Sequence, residues 1–175
     1  MRSAQYMVFQ EGHHGSLDRL GGLPTHLPPT RSSYPETGRE RAFLAQFYCV
    51  PGRFELDGVL CVQFYQDPDE DEPCPAVVTV PVGSPLNDQN SGVANPRIRH
   101  FDIRWEPRKD PDEATDDDVV LTESKAGGTC YFHDTVQAGE TMLLQLRQRP
   151  AGFNFGGYTV VLVRTVDGSL VTRLG

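Results

Sequence analysis

The sequence has no apolar run approaching the ~20 residues that a membrane-crossing helix needs, so no such helix is expected. Residues 1–10 carry one early charge and no long apolar stretch, which does not fit a secretion signal. Cysteine is sparse: Cys49, Cys61, Cys74 and Cys130 form no Cys-x-x-Cys pair. They read as small buried residues of a reduced, cytoplasmic protein. Positive charge is short as well. The 16 Lys and Arg are scattered among 24 Asp and Glu, giving a net charge of −8. A phosphate-binding surface needs clustered cations, so a nucleic-acid partner is not expected. No G-x-S-x-G elbow is present, and the Gly-rich stretch 152–157 lacks the Lys of a phosphate loop.

The chain does have 17 Gly and 14 Pro in 175 residues, which points to many turns and short elements. A chain this long buries a core without a metal or disulfide. Residues 43–50 (FLAQFYCV) and 58–66 (GVLCVQFYQ) are near-continuous apolar runs bounded by turn signals. They predict strands buried on both faces. Further strands are expected at 4–10, 76–82, 97–105, 141–147, 158–166 and 169–174, the last two joined by Asp167-Gly168 as a tight hairpin. The only helix expected is a short one near 83–89 or before Gly21. Residues 67–75 and 110–118 form acidic loops. The fold class is mostly β (all-β or α+β), in one domain spanning 1–175.

Two halves of the sequence resemble each other. Leu20-Gly21-Gly22, Phe43-Leu44-Ala45-Gln46-Phe47 and Gly58-Val59-Leu60 are matched by Ala126-Gly127-Gly128, Met142-Leu143-Leu144-Gln145-Leu146 and Gly157-Tyr158-Thr159. Gln46 and Gln145 lie 99 positions apart, as do Gly58 and Gly157. The repeats run over about 18–82 and 119–175 and predict two β units related by a pseudo-twofold rotation. Each Gln is the polar member of an apolar strand, and a buried amide needs partners. Backbone groups of the adjoining Gly-Gly turn are the expected ones. Leu44, Phe47, Leu60, Val62, Leu144, Leu146, Val160 and Leu162 form the expected core.

Taken together, Arg19-Leu20-Gly21-Gly22 with Phe43-Leu44-Ala45-Gln46, and Lys125-Ala126-Gly127-Gly128 with Leu143-Leu144-Gln145, resemble the bacterial YwqG-like domain. The segment Gly152-Phe153-Asn154-Phe155-Gly156-Gly157 is similar to that family's Gly-rich approach to its last strands. The resemblance covers about 18–163. It implies a relation to the core of programmed cell death protein 2, a chaperone for a ribosomal protein, and it implies no enzymatic activity. Many relatives carry a Cys-x-x-Cys knuckle before the first Gln strand. Tyr34 and Thr37 stand at those positions here, so the resemblance brings no zinc.

Other constellations also fall short of chemistry. Asp67, Asp69 and Asp71 start like a calcium loop, but Glu72 replaces the Gly that the sharp turn requires. Cys130 and His133 make half a zinc site, and on one strand they would point to opposite faces. No metal or cofactor is expected. The leading expectation is a non-enzymatic protein- or peptide-binding module with a basic partner, drawn by the acidic loops. One alternative is an immunity or antitoxin-like protein that binds a toxin. Another is a small-molecule enzyme using His13, His14 or His26. A binding groove is expected on the pseudo-twofold axis between the two Gly-Gly turns. Its expected side-chain readers are Thr25, His26, Tyr131, Phe132, His133 and Phe153.

Overall fold

The computed structural model of the chain describes residues 1–12, 15–30, 32, 38–66, 74–115 and 118–175. Its elements in chain order are β1 (Arg2–Glu11), β2 (Arg19–Leu20), β3 (Ala42–Tyr48), β4 (Val59–Gln66), β5 (Ala76–Pro81), β6 (Phe101–Asp110), β7 (Lys125–Gly127), β8 (Thr141–Arg147), β9 (Thr159–Arg164) and β10 (Leu170–Leu174). Two short 3₁₀ turns, Val119–Thr122 and His133–Thr135, flank β7. The short helix expected near 83–89 or before Gly21 is absent from these described stretches, which are turns and bridges. Gly83 and Pro85 interrupt the first stretch, and in the second Gly12 and Gly15 leave too few residues before strand β2 for a helical ladder to propagate.

All ten strands form one antiparallel sheet in the order β10-β9-β8-β7-β1-β6-β2-β3-β4-β5. The sheet curls until its edges approach. The Cys74 thiol donates to Thr172 O at 3.2 Å, and Thr172 Oγ1 donates to Pro75 O at 2.8 Å. The order is unchanged when β1–β5 and β6–β10 are exchanged. The central ladder pairs β1 with β6 from Arg2↔Asp110 to Glu11↔Phe101. Asp18 O accepts from Ile103 N at 3.0 Å and Ser124 O accepts from Met7 N at 2.9 Å, so Ile103 and Met7 correspond. That correspondence sets the two-fold at the Val8↔Arg104 pair, where it exchanges Met7↔Trp105 with Phe9↔Ile103. Both strands lie outside the stretches 18–82 and 119–175 in which the repeat is legible.

β3 is buried at all seven positions and β8 at its five central ones. Each carries a bulge at the corresponding leucine, Leu44 between Phe43 and Ala45, and Leu143 between Met142 and Leu144. A bulge bends and twists its strand, which serves closure of the sheet. Leu44, Phe47, Val62, Leu144, Leu146, Val160 and Leu162 lie in the principal core. Leu60 departs from the expectation: it is half-buried beside Tyr48, Cys61 and Val80. Phe153 also departs, being 2% exposed rather than a surface reader. Its loop is tied inward, since Ala151 O accepts from Arg99 N and Asn154 O from Gln66 Nε2, so Phe153 and Phe155 fill the core.

Candidate functional site

Each repeat contains a Gly-Gly turn beside its short strand, and each turn borders a cleft. The turns do not share a groove. Gly21 follows Leu20, which pairs with Phe101 at the Glu11 end of the central ladder. Gly127 pairs with Ala4 at the other end. Seven residues of strand separate those ends, about 23 Å at ~3.3 Å per residue. A two-fold across an antiparallel ladder sends related turns to opposite ends, so the single axial groove expected from sequence is replaced by two clefts.

The geometry that both repeats share behind their clefts is the Gln strand. Gln46 Nε2 donates to Leu17 O and Thr25 Oγ1, both at 2.6 Å, and its Oε1 accepts from Thr25 N at 3.0 Å. Gln145 Nε2 donates to Leu121 O at 2.8 Å and Glu123 O at 2.9 Å. The anchors are therefore residues before and after the turns, rather than the glycines themselves. Both glutamines are fully buried. Among the described residues, Gln145 Oε1 has no hydrogen-bond partner.

The second cleft, about 770 Å³, is lined by Arg2, Asp112, Glu113, Glu140, Cys130 and the Gly127-Gly128 turn, among others. Asp112 accepts from the Met1 amine at 2.6 Å, and that hydrogen bond lowers its pKa. Glu140 is held by Arg173 through contacts of 2.5 and 2.7 Å, which lower its pKa. Glu113 is exposed and has no ion-pair partner among the described residues. Burial raises the Cys130 thiol above the usual range, so it is a poor nucleophile at neutral pH. Under the cleft, Lys125 is wholly buried. It donates to Asp110 Oδ2 at 2.7 Å and Thr129 O at 2.8 Å, while Tyr6 OH donates to Asp110 Oδ1 at 2.7 Å. Asp110 is thus part of the interior and not of an exposed acidic loop, because its charge is neutralised by Lys125.

The first cleft, about 580 Å³, borders Gly22 and includes Arg19, Thr25 and His100. Behind it, Tyr48 OH lies 2.8 Å from Thr25 Oγ1 and 2.6 Å from His26 Nδ1. Burial raises the Tyr48 hydroxyl pKa. Asp18 ties this region together, accepting from Tyr48 N at 2.6 Å, Arg53 NH1 at 2.5 Å and Trp105 Nε1 at 2.7 Å.

The residues expected to read a partner are thus scattered. Thr25 lines the first cleft and half-buried His26 stands behind it. Tyr131 and Phe132 are half-buried and meet edge-on at 5.4 Å, with Phe132 packed against the second repeat's Met142, Val161 and Val163. His133 begins a 3₁₀ turn nearby. His13, His14, Tyr34, Thr37 and the acidic residues 67–72 lie outside the described residues. Among the described residues, no three His, Cys, Asp or Glu side chains are grouped to hold a metal ion, and no helix is long and apolar enough to cross a membrane. In the sequence Arg19 was visible only as the basic residue of the first Gly-Gly motif, and Asp112 and Glu113 only as part of the acidic loop 110–118. Only the fold brings the two carboxylates into one cleft with Glu140. No protein-family profile and no curated protein sequence matches this chain.

Proposed function

We propose that this protein is a non-enzymatic peptide- or protein-binding module of the YwqG-like kind, and that it takes a basic segment in the cleft beside Gly127-Gly128. The observation that carries this reading is the acid lining. Asp112, Glu113 and Glu140 line the cleft together with Arg2. The Met1 amine and Arg173 pair with Asp112 and Glu140, and Glu113 keeps a carboxylate with no ion pair among the described residues. The volume of about 770 Å³ falls within the usual range for a ligand site. Carboxylates at the rim steer a cationic partner, and the backbone at Gly127 and Gly128 offers donors and acceptors to a bound chain. The resemblance of the Gln strands and Gly-Gly turns to the YwqG-like domain is consistent with a binding role.

Titration of isotope-labelled protein with a Lys/Arg-rich peptide and a Glu/Asp-rich peptide of equal length tests the reading. Saturable shifts at Gly127, Gly128 and Thr129 are expected with the basic peptide. They should weaken with added salt and with the double variant Asp112→Asn/Glu113→Gln. Equal response to both peptides, or no loss in the double variant, overturns it.

A further inference from the structure

The two repeats place a cation at the same position. Arg19 and Lys125 each precede the buried residue of their short strand, and each pairs across the sheet with the repeat's glutamine, Arg19↔Gln46 and Lys125↔Gln145. Their circumstances then diverge. Lys125 has its counterion inside the protein, Asp110 at 2.7 Å. Among the described residues Arg19 makes one hydrogen bond, from NH2 to Ser16 O at 3.0 Å. Its Nε is buried with no partner, and Arg19 joins no ion pair among the described residues. A half-buried guanidinium without a counterion is unusual, because removing charge from water is costly unless it is paired. Arg19 also lines an open cleft, as Lys125 does not.

We propose that the cleft beside Gly22 binds a monocarboxylate, whose anion serves Arg19 as Asp110 serves Lys125. A guanidinium matches a carboxylate in a fork of two donors. His100 lines the same cleft, while Leu23, exposed Leu86 and Ala94 supply an apolar wall for the ligand's body. Asp88 is the carboxylate lining the cleft. Its charge disfavours a phosphate dianion relative to a single carboxylate. The ligand class is therefore a carboxylic acid on an apolar body, either a small acid or the C-terminus of a peptide. This site lies at the opposite end of the central ladder from the acid-lined cleft and takes the opposite charge, so the two proposals fail independently.

The probes are N-acetyl-leucine, its neutral amide, inorganic phosphate and a hexapeptide ending in leucine, each titrated against isotope-labelled protein. Saturable shifts of the Gly22, Leu23 and Ala94 amides are expected with N-acetyl-leucine and not with the amide. Arg19→Gln should weaken binding about tenfold or more, and Arg19→Lys should retain part of it. Tighter binding of the hexapeptide assigns the site to a peptide C-terminus, and equal binding to a small acid. If Arg19→Gln does not fold, the acid-against-amide comparison on the unaltered protein decides. Equal binding of acid and amide, response to phosphate alone, or undiminished binding by folded Arg19→Gln overturns the proposal.

Discussion

A methyl group at position 128 would stand 2.2 Å from Asp110 Oδ2 and 2.7 Å from the Ala4 side chain, on a backbone with φ of +78°. Neither neighbour can yield. Asp110 is held by Tyr6, Lys125 and the Thr129 amide, and Ala4 sits in the central ladder. Displacing Asp110 strands the buried Lys125 ammonium, and breaking a buried pair costs about 3–5 kcal/mol. Gly157 makes a useful control, since φ is +89° but nothing lies within 4 Å of an added Cβ. There only backbone strain applies, about 1–2 kcal/mol. Gly128→Ala is therefore expected to lower the urea midpoint far more than Gly157→Ala. Equal losses would show that the Gly128 position is constrained by φ alone. The Gly-Gly pair was legible in the sequence, but its reason was not: the carboxylate that excludes a side chain comes from β6, eighteen residues upstream of Gly128.

Element by element, legibility followed burial. β3 and β8 are buried on both faces, so an unbroken apolar run announced them. β6 was expected at 97–105 but runs over Phe101–Asp110. Its second half, with Arg104, Pro107, Arg108 and Lys109 exposed, reads as a loop. On one side of β6 the β2 ladder ends at Phe101 and Asp102, followed by the bond from Ile103 N to Asp18 O. Among the described residues no strand pairs with β6 there beyond it, so Pro107 is tolerated. The charges of both clefts were likewise opaque, because they assemble only when distant elements meet. The glutamines show how far repeat symmetry carries into energetics. Alanine at either position leaves a similar void, but the polar consequences differ. Gln46→Ala removes the partner of Leu17 O, Thr25 Oγ1 and Thr25 N. Gln145→Ala strands Leu121 O and Glu123 O, yet also removes an unpaired buried oxygen. An unmade buried hydrogen bond costs about 1–3 kcal/mol. Gln46→Ala should thus be the more damaging by about that amount in urea denaturation, and a reversed order would mean that the two strands are not anchored as described.

At the scale of the molecule, the repeats are interlocked rather than side by side. β1 lies between β6 and β7, both from the second repeat, and β6 lies between β1 and β2, both from the first. Each repeat thus lends its leading strand to the other. Without the second repeat, β2 keeps only its pairing to β3, and β1 loses both of its neighbours, β6 and β7. Core residues follow the same exchange, since Met7 of the first repeat and Ile103 of the second share one cluster with Leu44 and Leu144. A fragment of residues 1–99 would expose the face that β6 covers and leave the β1 backbone unpaired, and buried backbone groups without partners are not tolerated. The fragment is therefore expected to lack cooperative structure by circular dichroism and thermal melting, as is its complement 100–175. The intact chain should unfold in one calorimetric transition whose van't Hoff and calorimetric enthalpies agree. Mixing the fragments should restore strand signal, because the central β1–β6 ladder forms between them along its whole length. A fragment that melts cooperatively alone, or two resolved transitions in the intact chain, would show that each repeat holds a self-sufficient core and that the exchange of leading strands is incidental to stability.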